Sequence, residues 1–280
     1  MFFEHLPGWG LVCAHRGARS LAPENTLLAA EQMVQRGTDF WEIDVHKIAD
    51  GTLIVFHDDV LSRTTNVANH KELADRKPWN TCEFTYDELS YLDAGSWFLE
   101  SDPYKTITTE VTEDVFGLIR AQRIPTLMNM LTFTRAHNLP MNIEIKDQIH
   151  SPGDMSIVED VLSEIRRVGV EDLILISSFN HEYLREVRRL GSDLPLAVLT
   201  EGEHPENIPE YVRSFDAQYY HPDVDITPVH MIQELVSEGI RVSPYTVNDM
   251  DKALELIDAG CFSVITDFPQ RLRRLLPERV

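Results

Sequence analysis

The stretch "MSIVEDVLSEIRRVG" (155–169), preceded by "MNIEIK" (141–146) and followed by "LILISSF" (173–179), decides the fold. The two flanking runs have the length and pattern of strands. The segment between them places apolar residues on one helical face, at Ile157, Val158, Val161, Leu162, Ile165 and Val168. Strands joined through a helix run parallel, because an antiparallel pair needs only a short turn. This part of the chain therefore predicts a β-α-β unit.

The same alternation of strand and helix continues on both sides of this unit. Upstream, "GLVCAHRG" (10–17) predicts a buried strand ending at Gly17, and "PENTLLAAEQMVQR" (23–36) predicts a helix with Pro23 at its start. Downstream lie four strand-like runs and two helical patterns: "HEYLREVRRLG", "PLAVLT", "AQYYH", "IRVSPYTVN" (240–248), "DMDKALELIDAG" and "FSVITDF". We therefore expect an α/β fold, and favour a (β/α)₈ TIM-type barrel over an open doubly wound sheet.

Two features complicate an eightfold repeat. There are nine strand-like runs, and "FWEIDVHKIADGTLIVFHDD" (40–59) turns at Asp50-Gly51, a hairpin signal too short for a parallel crossover. One of its two strands is therefore expected to be an antiparallel extension at the rim. Residues 60–123 lack sustained periodicity and predict a small insertion after the third strand, forming a lid or rim subdomain. Residues 1–280 are expected to form a single domain.

The charge balance limits the possible partners. Lys and Arg total 25 against 46 for Asp and Glu, a net charge of −21. This excess of negative charge argues against binding nucleic acid or an acidic membrane surface. An anionic substrate would need local cations or a metal ion to bind.

Cysteine usage and the N-terminal segment bear on the compartment. Cys13, Cys82 and Cys261 are far apart and form no CxxC pair, so neither a disulfide framework nor a zinc site is expected. The first residues, "MFFEHLPGWG", have no basic region followed by a long apolar run, and no segment reaches the roughly 20 apolar residues of a membrane span. We expect a cytoplasmic protein without stable membrane insertion.

Acidic residues within predicted strands point to a metal site. Glu42 and Asp44 are two residues apart and project from one strand face, and in "NIEIK" Glu144 shares a face with Lys146. Three carboxylates that converge at the mouth of a barrel repel one another unless a cation bridges them, and oxygen ligands suit Mg²⁺ or Ca²⁺. The alternatives are exposed strand faces, or internal salt bridges to Arg16 and Lys146.

Titratable and cationic groups also lie at strand ends. His15 and His57 each follow an apolar run, as two acid/base groups would if they flanked one reacting centre. Arg16 offers a bidentate donor suited to phosphate. Glu24 and Asn25 have an alternative role as first-turn and capping residues of the following helix.

The C-terminal motifs "YTVND" and "VITDFP" place further side chains at strand ends. Tyr245 is the aromatic candidate for a substrate contact, with a packing role as the default alternative. We interpret Asn248, Thr266 and Asp267 as packing residues.

Taken in order, these motifs resemble the glycerophosphodiester phosphodiesterase family. The resemblance rests on seven segments that span residues 12–269: "AHRG", "PENT", "WEIDVHKIADGTLIVFHDD", "NIEIK", "LISSF", "YTVND" and "VITDFP". It implies a (β/α)₈ barrel that hydrolyses glycerophosphodiesters to sn-glycerol 3-phosphate and an alcohol with one divalent cation, Mg²⁺ or Ca²⁺. It also implies an attack by the neighbouring glycerol hydroxyl that gives a cyclic phosphate, which water then opens.

The resemblance implies a role for each matching residue. His15 and His57 become the general acid/base pair, in either order. The metal ligands become Glu42, Asp44 and Glu144. The substrate and phosphate contacts become Arg16, Lys146, Glu24, Asn25 and Tyr245, with Glu24 and Asn25 either lining or bracing the site. Tyr245 stands where the family commonly has Trp, which alters the wall around the alcohol group.

Two alternatives to this function stay open. One is a related barrel phosphodiesterase that acts on lysophospholipid or sphingolipid head groups. The other is a protein of the same fold that binds a glycerophosphodiester without catalysis, although such a binder has no need of both histidines.

Overall fold

Parallel strands form the centre of the molecule in the computed structural model, which describes residues 6–148 and 155–277. Residues 1–5, 149–154 and 278–280 lie outside the described part. They include both ends of the predicted single domain and the first half of the N-terminal segment considered above. Within these described ranges, nine strands form one sheet: β1 (Leu11–Ala14), β2 (Phe40–Lys47), β3 (Leu53–Val55), β4 (Met141–Ile145), β5 (Ile174–Ser178), β6 (Leu196–Thr200), β7 (Tyr219–Pro222), β8 (Arg241–Val242) and β9 (Ser263–Thr266).

The order of the strands and the bonds between the outer pair make a barrel. Eight parallel strands follow the order β8-β7-β6-β5-β4-β2-β1-β9. The outer strands β8 and β9 meet, because Phe262 N donates to Val242 O (2.8 Å) and Ile265 N donates to Pro244 O (3.1 Å). The expected (β/α)₈ barrel is therefore confirmed over the open sheet. Strand β3 lies off this path and pairs antiparallel with β2, which confirms the predicted rim hairpin at Asp50-Gly51.

Helices between the strands cover the outside of the barrel. In the described residues they are α1 (Leu27–Gln35), α2 (Tyr86–Leu89), α3 (Ser96–Ser101), α4 (Phe116–Arg120), α5 (Leu127–His137), α6 (Ser156–Val168), α7 (His181–Arg189), α8 (Ile208–Arg213), α9 (Val229–Ser237), α10 (Met250–Asp258) and α11 (Pro269–Leu275). The apolar face predicted for α6 is buried. Its burial against the barrel supplies the stability that a 13-residue helix lacks on its own.

Three predicted boundaries are wrong. The first strand ends at Ala14 rather than Gly17, because residues 15–17 form a turn in which Gly17 N donates to Ala14 O. The helix predicted over 23–36 starts at Leu27, and Thr26 caps it by accepting a hydrogen bond from Ala29 N. The strand predicted over 240–248 is only Arg241–Val242, since Pro244 has no N–H to extend the ladder.

Residues 60–123 follow the third strand as an irregular excursion with its own small core. Besides α2, α3 and α4 it contains short 3₁₀ helices at Val67–Asn69, Lys71–Arg76, Thr81–Glu83 and Glu113–Val115. Apolar side chains of the excursion, among them Leu61, Val67, Trp79 and Phe84, form a cluster with residues of the β2–β3 hairpin. The excursion thus packs against the carboxyl end of β2, where the acidic strand residues lie.

The interior of the barrel changes character along its axis. At one end, Leu11, Cys13, Phe40, Leu175 and Phe262 belong to a closed apolar cluster. Toward the carboxyl ends of the strands, buried polar groups replace these apolar side chains. This gradient places a polar site at the end of the barrel where catalytic residues of such barrels are found.

Candidate active site

A tight turn after β1 presents the first two predicted site residues. Gly17 has φ +80°, and a Cβ there would lie 2.8 Å from Ala29 Cβ, so this position requires glycine. Arg16 also adopts a positive φ of 54°. Its backbone N donates to Glu42 Oε2 at 2.9 Å, which ties the turn to β2. The turn therefore fixes His15 and Arg16 at the mouth of the barrel.

The three predicted metal ligands converge on adjacent strands. Asp44 on β2 lies opposite Glu144 on β4 in the parallel register. Glu42 precedes Asp44 by two residues on β2 and therefore projects from the same face of the strand. Glu42, Asp44 and Glu144 each offer an oxygen, and these oxygens lie within 4.8 Å of one another. All three residues are buried, which excludes the alternative of exposed strand faces.

Two oxygens of this cluster point to a cation. Glu42 Oε1 and Asp44 Oδ1 are buried and accept no hydrogen bond from the described residues. Buried carboxylate oxygens are normally hydrogen-bonded or bound to a metal. The donor set therefore fits a hard divalent cation such as Mg²⁺ or Ca²⁺.

The protonation tendencies of the cluster agree with that fit. Burial raises the pKa of Glu42 well above its usual value, and repulsion from Asp44 and Glu144 raises it further. Burial also raises the pKa of Glu144, which Lys146 opposes. For Asp44 burial is outweighed by Arg16 and Lys146, which hold its pKa below the usual range. A bound cation would allow all three carboxylates to ionise together.

Arg16 and Lys146 border this cluster as ion-pair partners. Arg16 Nε lies 3.2 Å from Asp44 Oδ2. Lys146 Nζ lies 2.7 Å from Glu144 Oε1 and 3.6 Å from Asp44 Oδ1. The salt bridges considered as an alternative to a metal are therefore present. They leave the two oxygens named above without a hydrogen bond, so ion pairs and a metal are compatible here.

His15 is held by a carboxylate from the other end of the sequence. Its Nδ1 lies 2.7 Å from Asp267 Oδ1, and Asn248 Nδ2 donates to Asp267 Oδ2 at 2.8 Å. Burial lowers the pKa of His15 to about 4, Arg16 contributes in the same direction, and Asp267 opposes both. Asp267 is ionised at neutral pH and can only accept, so Nδ1 of neutral His15 carries the hydrogen and Nε2 keeps a lone pair.

His57 has the same kind of support from its neighbour in the chain. Its Nδ1 lies 2.6 Å from Asp58 Oδ1. Arg63, in the excursion, donates to both oxygens of Asp58 at 2.5 and 2.9 Å. Each histidine therefore has a carboxylate at Nδ1, which fixes the ring and leaves Nε2 for other chemistry.

Glu24 connects these two supports. Its buried carboxylate accepts from Arg16 Nη1 (2.9 Å), Arg19 Nη2 (2.5 Å) and Arg63 Nη2 (2.6 Å). Arg19 Nη1 lies 3.3 Å from His15 Nδ1, and Arg63 reaches the partner of His57 as described above. We call Glu24 with Arg16, Arg19 and Arg63 the Glu24–arginine network.

Asn25 links the same loop to the acidic cluster. Its Nδ2 donates to Asp44 Oδ2 at 2.8 Å, and its backbone is left-handed with φ 57°. The alternative of Glu24 and Asn25 as first-turn or capping residues is therefore wrong. Thr26 is the cap instead, and the two side chains before it point to ionised groups of the site.

A cavity of about 490 Å³ opens above the acidic cluster. One side, here called the polar wall, consists of His15, Arg16, Glu42, His57, Asn142, Glu144 and Lys146. The other side, the aromatic wall, consists of Phe179, Leu199, Glu201, His221, Tyr245, Thr246 and Ile265. Asp44, Glu24 and Asn25 lie outside this lining: Asp44 and Glu24 contact Arg16, and Asn25 contacts Asp44.

The family comparison agrees with this arrangement. A sequence profile of the glycerophosphoryl diester phosphodiesterase family matches residues 15–271, nearly the whole chain. The chain belongs to this family. It is accordingly a phosphodiesterase of the hydrolase class, as the resemblance of its motifs predicted.

Individual relatives of the glycerophosphoryl diester phosphodiesterase family match over almost the full length. The chain is 31% identical to a glycerophosphodiester phosphodiesterase of Bacillus altitudinis, over 95% of this chain and 98% of that one. It is 35% identical to the human glycerophosphoinositol inositolphosphodiesterase GDPD2, over 96% of this chain and 48% of that longer protein.

A solved structure gives the same fold with a ligand. A phosphodiesterase of Oleispira antarctica, crystallised in complex with the product sn-glycerol 3-phosphate, matches with a TM-score of 0.77 and 26% identity, over 97% of each chain. In the present chain, none of the described helices is long and apolar enough to cross a membrane.

The sequence motifs did not reveal every residue of this family site. The interpretation of Asn248 and Asp267 as packing residues misses their bonds to each other and to His15. Asp267 had a usable signal, an acidic residue at a strand end. Arg19, Asp58 and Arg63 had none, since each lies in a polar loop whose partners only the fold reveals.

Proposed function

We propose that this chain hydrolyses glycerophosphodiesters to sn-glycerol 3-phosphate and an alcohol, with one divalent cation and two histidines. The observation that carries the proposal is one cavity lined by two carboxylate-supported histidines, two cations, and Glu42 and Glu144 of the three-carboxylate cluster. A phosphodiester needs acid/base groups, positive charge at its oxygens and room for two substituents.

The polar wall supplies the binding of the phosphate. Arg16 and Lys146 present positive charge to the non-bridging oxygens, where charge builds as the nucleophile attacks phosphorus. Glu42, Asp44 and Glu144 would hold the cation, which when bound adds charge stabilisation at the same oxygens. These ligands tolerate Mg²⁺ and Ca²⁺ alike.

The two histidines move the protons. His15 is neutral at pH 7 with a free lone pair on Nε2, so we assign it the role of base toward the attacking hydroxyl. His57 then donates a proton to the oxygen of the departing alcohol. If the attacking group is the neighbouring glycerol hydroxyl, the first product is a cyclic phosphate, and water opens it with the two roles exchanged.

We assign Glu24 and Asn25 to positioning rather than to direct contact with the substrate. Glu24 binds the arginines that border both histidine supports, and Asn25 holds Asp44. Tyr245 is assigned to the substrate cavity, where it borders the alcohol side. In this proposal His15 activates the nucleophile, Arg16 and Lys146 bind the phosphate, and His57 protonates the leaving group.

The proposal extends to organisation and location. We propose that the barrel and the excursion 60–123 act as one domain, since Arg63 of the excursion contacts Glu24 of the barrel. We also propose a role in lipid and glycerol metabolism in the cytoplasm. Free Cys13, Cys82 and Cys261 are compatible with this reducing compartment.

One assay tests substrate, product and metal together. Release of glycerol 3-phosphate is measured from glycerophosphocholine and glycerophosphoethanolamine, and release of choline is measured from lysophosphatidylcholine, whose glycerol phosphate keeps its acyl chain. Each assay is run with Mg²⁺, Ca²⁺ or excess chelator. We expect release from the first two substrates that depends on the metal. Hydrolysis of lysophosphatidylcholine alone favours a lipid head-group enzyme, and binding without turnover favours a non-catalytic protein. Full activity in excess chelator contradicts the three-carboxylate metal site.

A further inference from the structure

His221 lies at the floor of the cavity and has no part in the chemistry assigned above. It follows Tyr219 by two residues on β7, and Tyr219 belongs to the apolar cluster that closes one end of the barrel. His221 is therefore the next inward-facing residue above that cluster. It lines the cavity and is 0% exposed. Strand β7 lies four places from β2 in the order of the eight parallel strands, so His221 is on the opposite side of the barrel from Glu42 and Asp44.

The hydrogen bonding of His221 differs from that of three histidines outside the cavity. Both of its ring nitrogens are buried and have no partner among the described residues. His46, His181 and His204 each bond both ring nitrogens to protein atoms, at 2.8 to 3.1 Å. A buried polar group without a partner costs free energy and is rare in native proteins. The unpaired imidazole, aimed into the cavity, therefore indicates a polar group of a ligand.

The protonation state of His221 limits what that group can be. Burial lowers the pKa of His221 to about 3, so the ring is neutral at pH 7. A neutral imidazole presents one N–H donor and one lone pair. It carries no charge for the phosphate, and it lacks the carboxylate support that His15 and His57 have for proton transfer. A hydroxyl, which both donates and accepts hydrogen bonds, is the complementary group.

The depth of the cavity distinguishes the two halves of a diester. Phe179 and Glu201 are exposed at its mouth, whereas His221 and Asn142 are buried. The glycerol half is small and common to all glycerophosphodiesters, so it fits a closed floor, while alcohols of different size need the open side. Of its two free hydroxyls, the 2-hydroxyl is the nucleophile of the proposed reaction. The 1-hydroxyl is the one still without a partner.

We propose that His221 hydrogen-bonds the 1-hydroxyl of the glycerol half and thereby selects diesters in which this hydroxyl is free. The inference rests on the proposed function and adds a specificity-determining residue to it. A 1-acyl lysophospholipid has an ester at this position, without an O–H, and its acyl chain would have to enter a floor that the apolar cluster closes. His221 thus separates a glycerophosphodiester from a lysophospholipid with the same head group.

The test removes the hydroxyl and the imidazole separately and together. The kcat/KM is measured for glycerophosphocholine and for its 1-deoxy analogue, 2-hydroxypropyl phosphocholine, which keeps the nucleophilic hydroxyl. We expect the wild type to prefer glycerophosphocholine about 100-fold, because the analogue leaves a buried polar group unpaired. In His221→Leu, which has no polar side-chain atom, the preference should fall below about fivefold. His221→Asn, whose amide donates and accepts, should restore part of it.

His204→Leu is the matched control. His204 does not line the cavity, and its loss removes two hydrogen bonds within the protein, so the preference should stay at the wild-type value. A merely structural role of His221 would lower both kcat/KM values equally. That result, or a wild-type ratio near one, overturns the proposal, and the wild-type ratio and His221→Asn still test it if His221→Leu does not fold. Absence of wild-type turnover on both substrates instead contradicts the proposed function.

Two further substrate comparisons test the assignment to the glycerol half. Choline release from 1-acyl lysophosphatidylcholine in detergent micelles should be slow in the wild type, and a kcat/KM equal to that for glycerophosphocholine contradicts selection of a free 1-hydroxyl. The glycerophosphodiesters of propanol and of propane-1,3-diol differ only in a hydroxyl of the leaving alcohol. We expect His221→Leu to leave their ratio unchanged. A change confined to this pair would mean that His221 contacts the leaving alcohol, and the assignment would be wrong.

Discussion

The polar wall and the aromatic wall of the cavity are built on different physical principles. In the polar wall nearly every charged side chain touches another: Arg16 contacts Glu24 and Asp44, and Lys146 contacts Glu144. In the aromatic wall Phe179 packs edge-on against Tyr245, and Lys146 Nζ lies 5.9 Å from the centre of the Phe179 ring. Connected charges fix positions to a fraction of an ångström, as phosphoryl chemistry requires. A wall of rings instead accommodates a substituent without fixing each atom.

This difference predicts where substitutions act. Changes in the polar wall should lower kcat or raise the metal requirement for every substrate. Changes in the aromatic wall should alter KM and the choice among substrates. The experiments below test that division, beginning with the largest expected effect.

Replacement of either histidine should have the largest effect. His15→Ala and His57→Ala are each expected to lower kcat by about 10²-fold or more, the usual contribution of acid/base catalysis. Steady-state kinetics on glycerophosphocholine measures the loss, and circular dichroism checks the fold. His230→Ala, an exposed histidine on α9, is the control. Near-wild-type turnover in either variant would remove that histidine from the acid/base pair.

Asp267→Asn tests the support of His15. An amide can donate to Nδ1 and so favours the wrong tautomer, and we expect kcat to fall by about 10²-fold. Asp267 opposes the fall in the pKa of His15, to about 4, that burial and Arg16 cause. Without this carboxylate that pKa is lower still, so the acid limb of the kcat/KM profile should move to lower pH. A shift to higher pH would contradict His15 as the base.

Glu42→Gln and Glu201→Gln make the same substitution on the polar wall and on the aromatic wall. Loss of one carboxylate from the cluster should raise the concentration of Mg²⁺ or Ca²⁺ needed for half-maximal activity about 10-fold to 100-fold, the range seen when a metal site loses a supporting group. Glu201→Gln, the same change on the aromatic wall, should leave the metal requirement as it is. Equal metal titrations for Glu42→Gln and the wild type would mean that Glu42 is not a ligand.

Glu24→Gln tests the Glu24–arginine network. Burial raises the pKa of Glu24, but Arg19, Arg16 and Arg63 outweigh it and hold that pKa below the usual range. Its stabilising contribution is therefore present above the pKa of an unfolded glutamate, near 4.5, and is lost as the pH falls below that value. We expect the variant to lose about 3 kcal/mol of unfolding free energy at pH 7 and to lose less than the wild type on acidification.

The measurement is urea unfolding at pH 7 and at pH 4, together with kcat. Glu110→Gln, which disrupts the Arg271–Glu110 ion pair, is the matched control because that pair involves no predicted site residue. We expect kcat to fall about tenfold in Glu24→Gln alone. Equal effects of the two variants on kcat would reduce Glu24 to an ordinary structural ion pair.

Tyr245→Phe should have the smallest effect. It removes the hydrogen bond to Thr200 O but keeps the ring, so a loss of about 1 kcal/mol in unfolding free energy is expected. The KM for glycerophosphocholine should change less than threefold, since the ring is the part that faces the ligand. A large fall in kcat would show that the hydroxyl takes part in the reaction and that the division between the walls is wrong.

The polar wall was largely predictable from the sequence, whereas Tyr245 was the one residue of the aromatic wall that the sequence motifs indicated. Glu42, Asp44 and Glu144 stand out because a charged residue inside an apolar strand costs free energy unless it is paired. Phe179 and Leu199 carry no such signal, because apolar residues at strand ends are equally typical of a core. Asp267 and Arg63 join the site through contacts 252 and 39 residues distant in the chain, which no local pattern encodes.

The helix boundary before Thr26 illustrates the same limit. "PENT" was predicted to begin a helix because Pro is common at that position. The structure instead uses Glu24 and Asn25 as side-chain partners of ionised groups, which requires a left-handed backbone at Asn25 and delays the helix until Leu27. Local propensity is overruled here by contacts that only the folded barrel provides.

The hydrogen bonds that hold the Arg63 loop determine which segment of the excursion could be exchanged between related chains. The loop that carries it is fastened to a later part of the excursion, since Leu61 N donates to Trp79 O and Thr81 N donates to Asp59 O. A graft that replaced residues 60–78 alone would import an arginine without its fastening. The same loop is also bonded to a more distant part of the excursion, since Asn66 N donates to Asp93 O and Asp93 N donates to Asn66 Oδ1. An exchange between related chains would therefore have to move residues 58–93 together to keep the support of His57 intact.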